Sequence, residues 1–316
     1  MIPTIDEANF IKALTSQKNP FAKEYYAFYS SWLGGVTTNP HLMLLPMDDH
    51  MVHRGDGVFE AMKAVDRSVY LMQEHLERLF DSAAKISLKL NFDLNYVKEI
   101  VVQTLQLVNK NEASVRIFIS RGPGDFSANP YDAIEPQLYV VVMELHAPAA
   151  AKYLNGVVIG ESKIPIKDSW LAQIKSCNYL PNVLMKMESV DRGLDFVIGI
   201  DERGLIAEGP TENIMLVDQN DTLLHPPFAN ILKGITMMRT CELARKHGFK
   251  TEIKPISEED LRSAREVVIT GTSLNVLPVV KFENYVIGNG KPGPIAKKLN
   301  ELLIADIEAG TQSQPY

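Results

Sequence analysis

Cysteine is scarce in this 316-residue chain, with Cys177 and Cys241 the only two. Two thiols make neither a disulfide framework nor a metal-ligand spacing, and they fit a reducing cytoplasm. Cys177 reads as a reactive thiol or, more plainly, as a small buried residue. Long apolar runs are also missing. The longest, such as Leu138 to Met143, are strand-sized, so no membrane span is expected. Met1 to Glu7 holds no basic region followed by an apolar run, so no signal peptide is expected either. Positive charge is not in excess: the net charge is −7, which gives no general attraction to nucleic acid or an anionic membrane. No Gly-X-X-X-X-Gly-Lys-Ser/Thr loop occurs, which argues against nucleotide binding of that kind. No Gly-X-Ser-X-Gly elbow marks a serine nucleophile.

The composition that is present, 46% hydrophobic and 22% charged, is that of a globular protein with a full core. The length suggests two domains. Residues 1–35 read as an N-terminal extension containing a short helix, Asp6 to Thr15. A smaller α+β domain is expected over 36–150 and a larger one over 151–316, with the junction at His146-Ala147-Pro148. In the first, strands are expected at Leu42–Leu45, Val58–Val65, Val69–Leu71, Ser114–Ser120 and Gln137–Glu144. Asp66-Arg67-Ser68 turns a hairpin. Apolar spacing predicts helices over Gln73–Lys85 and Leu94–Asn109. In the second, strands are expected at Gly156–Gly160, Asp195–Asp201, Leu205–Ala207, Asn213–Val217 and Glu266–Thr270. Helices should follow Lys175, follow Gly234, and close the chain from Pro294. The elements do not alternate as β-α-β, so two α+β domains are favoured over a doubly wound sheet.

Two places suit a phosphate. Gly234-Ile235-Thr236 precedes a helix, where free N–H groups and the positive dipole end face an anion. Gly271-Thr272-Ser273 follows a strand and offers close backbone approach with hydroxyl donors. Each also reads as a plain turn and cap. Arg78 would add a forked cation, or else is a solvated helix residue. His50 and His53, near Asp48, Asp49 and Asp56, could suggest a metal, but Arg54 beside them opposes a cation, and no metal site is expected. Lys175 and Glu208 suit one chemistry from two ends. A lysine amine can form an imine with an aldehyde, and a buried carboxylate can keep a pyridine nitrogen protonated.

Taken together, six blocks in order resemble the fold-type IV pyridoxal-phosphate enzymes. They are His53-Arg54-Gly55-Asp56-Gly57-Val58-Phe59-Glu60, Glu74-His75-Leu76-Glu77-Arg78-Leu79, Lys175-Ser176-Cys177-Asn178-Tyr179-Leu180, Glu208-Gly209-Pro210-Thr211-Glu212-Asn213, Leu232-Lys233-Gly234-Ile235-Thr236 and Gly271-Thr272. The resemblance runs from about Asp48 to Leu303. It implies pyridoxal 5'-phosphate as cofactor and a two-domain α+β fold. It makes Lys175 the imine lysine and the base for the α-proton, Glu208 the partner of the ring nitrogen, and Tyr179 a hydrogen-bond partner of the ring's phenolic oxygen. Arg78, the backbone of Ile235 and Thr236, and Thr272 would hold the phosphate, with Thr211 among the cofactor-binding positions. It also implies a homodimer, with sites between domains and near the partner subunit.

Met47 to Arg54 and Ser120 to Phe126 resemble most the plant-type enzymes credited with D-amino-acid aminotransferase and aminodeoxychorismate lyase activities. Phe59 stands where bacterial D-amino-acid enzymes have a tyrosine, and Gly124-Asp125-Phe126 replaces their arginine and histidine. Arg54 and Arg116 are the candidates to take over the substrate carboxylate, or are salt-bridge residues. The expected reaction is amino transfer between an amino acid, of D configuration, and a 2-oxo acid. The alternatives are 4-amino-4-deoxychorismate lysis to 4-aminobenzoate and pyruvate, and branched-chain amino-acid transamination.

Overall fold

The computed structural model describes residues 2–167 and 169–316, which divide into two compact units: Met1–Leu145 with Pro315–Tyr316, and His146–Gln314. The division falls at His146, at the start of the small, proline-containing segment His146 to Ala151, and the next helix begins at Ala150.

In the first unit the strands are β1 (Tyr25–Ser30), β2 (Gly35–Thr37), β3 (Gly57–Val65), β4 (Ser68–Tyr70), β5 (Ala113–Ser120) and β6 (Gln137–Met143). The helices are α1 (Glu7–Thr15), α2 (His50–Arg54), α3 (Met72–Lys85) and α4 (Leu94–Gln106). The sheet runs β15-β4-β3-β5-β6-β1-β2, its outer strand being Ser313–Pro315 (β15) at the end of the chain. β3 and β5 pair antiparallel from Gly57↔Ser120 to Ala64↔Ala113. β-Branched and aromatic residues fill both, as a half-buried pleated surface favours. Asp66 and Arg67 turn the β3–β4 hairpin with φ of 49° and 54°, the left-handed geometry that matches strand twist. α3 packs on β3 through Leu76 and Leu79, both fully buried, while Glu74 and Glu77 are exposed.

Two expectations need correction here. Residues 1–35 are not simply an extension, because β1 lies inside the sheet between β6 and β2, its Phe28 buried against Tyr139 with ring centres 6.2 Å apart. Leu42–Leu45 is not a strand. Asn39 caps a 3₁₀ turn at Pro40–Leu42, accepting from the His41 N–H, and the chain beyond is irregular.

The second unit contains β7 (Val157–Glu161), β8 (Phe196–Ile198), β9 (Asn213–Val217), β10 (Leu223–His225), β11 (Thr251–Ile253), β12 (Glu266–Gly271), β13 (Asn275–Phe282) and β14 (Tyr285–Val286). Its helices are α5 (Ala150–Asn155), α6 (Ser169–Ala172), α7 (Leu180–Asp191), α8 (Ile235–Lys246), α9 (Glu258–Ser263) and α10 (Pro294–Glu308). The sheet order is β11-β10-β9-β12-β13-β7-β8, with β14 pairing β13. Ile159, Ile214, Ile269, Leu277 and Phe282 form part of its core. β13 is a central strand the sequence hides, since Pro278 interrupts it. The proline is accommodated beside a register shift at Val279/Lys281. Both units mix sheet and helix without regular β-α-β alternation, the expected α+β class. Among the described residues no helix is long and apolar enough to cross a membrane.

Candidate active site

In the first unit, the sequence places a carboxylate on β3 under the inner face of α3. Glu60 is fully buried and accepts from Arg78 Nε at 2.6 Å and Nη2 at 2.9 Å, while His75 Nδ1 lies 2.7 Å away. Burial alone would raise the Glu60 pKa, but the Arg78 guanidinium and His75 overcome it and hold the carboxyl far below the usual carboxylate range. A guanidinium is a rigid fork, so fixing two of its donors fixes the direction of all five. Arg78 is therefore a built-in cation rather than a solvated helix residue. The chain enters α3 through Leu71, a buried leucine in the left-handed region at φ 52°, which costs about 1–2 kcal/mol.

The opposite face of β3 and β5 carries different residues, because neighbours along a strand alternate sides. There Phe59 stacks on Phe118 with ring centres 5.9 Å apart, and the register sets Arg116 opposite Ala61, next along that face. Arg116 is half-buried. Arg54 is placed otherwise. It ends α2 at the surface and donates to the carbonyls of His53 and Phe126, so it ties down the loop after Arg121.

That loop is anchored at its base. Arg121 grips Asp56 with bonds of 2.6 and 2.9 Å, the His50 N–H donates to Gly122 O at 3.0 Å, and the Gly124 N–H donates to Asp48 O at 3.1 Å. Buried Asp49 accepts from Ser120 Oγ at 2.6 Å, Tyr139 OH at 3.1 Å and the Met51 N–H at 2.8 Å. His50 and His53 join this network through Asp125 O and Asp48 O. Among the described residues no group of three or more His, Cys, Asp or Glu side chains is arranged to hold a metal.

In the second unit, Glu208 to Asn213 folds back on itself as an antiparallel bridge. Glu208 Oε2 accepts from Asn213 Nδ2 at 3.1 Å and from the Leu232 N–H at 3.0 Å, which fixes the carboxylate plane. Tyr179, just before α7, donates its hydroxyl to Pro210 O at 3.1 Å, and Asn182 Nδ2 donates to the same carbonyl at 2.6 Å. The start of α7 is thereby pinned to the Glu208 turn. Lys175, half-buried, lies in the segment leading into that helix.

The strand register then gathers the phosphate candidates. Asn213 pairs with Thr270 where β9 begins and β12 ends. Gly234 caps α8 without a side chain, so the first-turn N–H groups of Ile235 and Thr236 have no intrahelical partner. A Cβ added to Gly234 would come within 1.7 Å of Asn213 Oδ1, so only glycine lets this turn approach the Glu208 loop. Thr272 lies in the β12–β13 turn, and Gly271 approaches the Thr211 carbonyl, with its ideal Cβ 3.6 Å from that oxygen. Thr211 gives its hydroxyl and N–H to Glu212, a buried carboxyl raised by burial despite those bonds. Orphan N–H groups and a fixed carboxylate acceptor are the partners a phosphorylated, protonated pyridine aldehyde requires, with Lys175 in the segment before α7 as its amine, and the residues fit the group.

One residue escaped the sequence reading. Lys167 sets its Nζ 4.7 Å from the centre of the Tyr179 ring, with Glu208 and Cys177 acting on it electrostatically. Only a lone lysine after Ile164-Pro165-Ile166 marks it in the sequence, and no periodicity singles it out.

The model of the family described as amino-transferase class IV matches residues 57–282. The chain is 38% identical over 297 residues to a D-amino-acid transaminase, chloroplastic, of Arabidopsis thaliana, covering 92% of this chain and 79% of that one. It is 32% identical over 254 residues to a putative branched-chain-amino-acid aminotransferase of Methanocaldococcus jannaschii, covering 80% and 88%. Its fold matches that of a T.th. branched-chain amino acid aminotransferase with pyridoxamine 5'-phosphate at a TM-score of 0.87 and 22% identity, covering 92% and 99%. With the family model spanning most of the chain and close relatives covering nearly all of it, this protein belongs to the class IV aminotransferases, enzymes that depend on pyridoxal phosphate.

Proposed function

We propose that the enzyme moves an amino group from a D-amino acid to a 2-oxo acid. The observation that carries this reading is the 38% identity, over 92% of the chain, to a protein named a D-amino-acid transaminase. When bound, pyridoxal phosphate supplies an aldehyde for the substrate amine and a protonated ring that accepts electrons from the α-carbon. Lys175 Nζ would take the proton from the substrate's α-carbon and hold it for return. Glu208, oriented by Asn213 and the Leu232 N–H, holds the proton on the ring nitrogen. Ile235 and Thr236 bind phosphate oxygens through backbone N–H groups, Thr272 through its hydroxyl, and Arg78 through a guanidinium that Glu60 and His75 keep in place. Tyr179, whose hydroxyl donates to the Pro210 carbonyl in this structure, would hydrogen-bond the ring's phenolic oxygen, and Thr211 supports the turn through Glu212.

For the substrate we assign the carboxylate to Arg116 and the side-chain wall to Phe59. Arg54 acts on the substrate only through the loop it anchors. A homodimer is part of the proposal. Leu180, Val183, Met187 and Val190 follow a 3-4-3 spacing along α7 and are all more than half exposed, a stripe that a second copy would cover. We also propose a reducing compartment such as the cytoplasm, in keeping with a chain that carries only two cysteines.

The test is borohydride reduction followed by peptide mapping, together with product analysis. The adduct should fall on Lys175. Beyond one equivalent per active site, D-alanine should yield pyruvate only when a 2-oxo acid acceptor is present, with one new amino acid formed per further pyruvate. Preference for L-leucine would replace the D reading with the branched-chain one. Release of 4-aminobenzoate and pyruvate from 4-amino-4-deoxychorismate without acceptor would make the enzyme a lyase.

A further inference from the structure

Lys167 stands close to the group that the ring nitrogen needs. It lines a cavity of about 20 Å³, the room of one water, with Glu208, Asn182 and Asn230 as the other polar side chains and Ile166, Pro181 and Met185 as apolar ones. Asn230 is already committed, donating to Asp201 Oδ2 at 3.0 Å. Asn182 Oδ1 is buried and has no hydrogen-bond partner among the described residues, an acceptor suited to an ammonium or to a water held by one. Among the described residues, Glu208, Cys177 and the Tyr179 ring act on Lys167. Burial draws its pKa below the ordinary lysine range, and Glu208 and Cys177 oppose that fall. In a half-buried site of mixed polar and apolar lining, attraction between Lys167 and Glu208 is stronger than bulk solvent would allow.

We propose that Lys167 is a positioning residue, the standing counter-ion of Glu208. It keeps that carboxylate ionised before the cofactor arrives and moderates its grip on the ring proton afterwards. A carboxylate beside a cation stays ionised and remains an acceptor, the state that matches a protonated pyridine nitrogen. The Tyr179 ring steadies the ammonium through its face, and the same residue closes the segment carrying Lys175. The inference rests on the reading of Glu208 as the ring-nitrogen partner.

The test begins with cofactor-free protein and a double-mutant cycle of Lys167→Met and Glu208→Gln. Lys167→Met should be more destabilising in the wild-type background than in Glu208→Gln, by about 2–4 °C in Tm, because only the wild type loses the attraction between the two charges. An equal shift in both backgrounds would overturn the counter-ion role, and Lys167→Gln serves if the methionine variant fails to fold. The second arm titrates the visible absorbance of the cofactor-loaded protein against pH. The midpoint should rise in Lys167→Met, since a nearby positive charge is lost, and hold in Lys167→Arg. A band whose midpoint does not move in Lys167→Met would overturn the effect on the cofactor. Absence of any band, or an adduct mapped away from Lys175, would instead sink the Lys175 assignment and leave the cofactor-free cycle to judge the pair.

Discussion

Glu60 and Arg78 are joined by two parallel hydrogen bonds of 2.6 and 2.9 Å, with the carboxylate wholly out of solvent. Removing one member leaves the other charged and buried. Glu60→Gln should therefore lose about 3–5 kcal/mol of unfolding free energy at pH 7, measured by urea denaturation of the cofactor-free protein. The pair also sets a pH dependence. Because the folded pKa of Glu60 lies below its unfolded value, its contribution is complete above the ordinary carboxylate range and is lost as pH falls through and below that range. Wild type should lose stability steeply on acidification. The glutamine variant, with nothing to titrate there, should follow a shallower curve.

Lys63 gives a dependence at the other end of the scale. Burial draws its pKa from 10.5 down to about 8, against a smaller opposing pull from Glu112. Between those two values the unfolded chain binds the proton more tightly than the folded one, so stability rises with pH across the window and the penalty is full below it. The rise should reach up to ~3 kcal/mol in wild type and be absent from Lys63→Met. Chemical denaturation at pH 7.5, 9 and 10.5 measures the slope directly.

Gly234→Ala tests the fit of the α8 turn. The new methyl would strike Asn213 Oδ1, and Asn213 can yield only by releasing Glu208 or the Leu232 carbonyl. Loss of one hydrogen bond to a charged group should weaken pyridoxal phosphate binding roughly tenfold or more. Equilibrium dialysis reads this, and undiminished affinity would mean that Asn213 does not orient Glu208.

Two arginines that look equivalent in the sequence should behave differently. Arg116→Ala is expected to reduce kcat/KM at least ~30-fold for both amino and oxo substrates, as loss of a charge-assisted contact would. Arg54→Ala should change kcat/KM far less. It should instead speed proteolytic nicking near Phe126, whose carbonyl Arg54 holds. Matching kinetic losses in the two variants would remove the distinction.

The hairpin at Asp66-Arg67 and the buried stripe of α3 were legible in the sequence because turn chemistry and period are local properties. Lys175 and Glu208 became legible only as members of six ordered blocks. The pairing of Glu60 with His75 and Arg78 was not, although all three stand in those blocks, because it joins a strand to a helix across a hairpin. Lys167 left no signal at all. β1 was lost inside a supposed extension, since a strand in mid-sheet is defined by its neighbours, β6 and β2, which lie far along the chain or just beyond it. Pro278 concealed β13 because a proline reads as a strand breaker, although the strand runs through it in register with Val268 of β12.

The anchoring of the loop after Arg121 has a consequence for how such an enzyme can diversify. Its base is clamped by Asp49, Asp56 and the backbone of Asp48 to His50, whereas Phe126, Tyr131 and Ile134 along its course are exposed. Side chains at Tyr131 and Ile134 can change without touching the clamp, whereas Gly122 and Gly124 cannot gain one, because a Cβ there would strike the Glu135 and Asp132 carbonyls. Variation along the loop is thus confined to its outward positions, while the fold beneath it is left untouched.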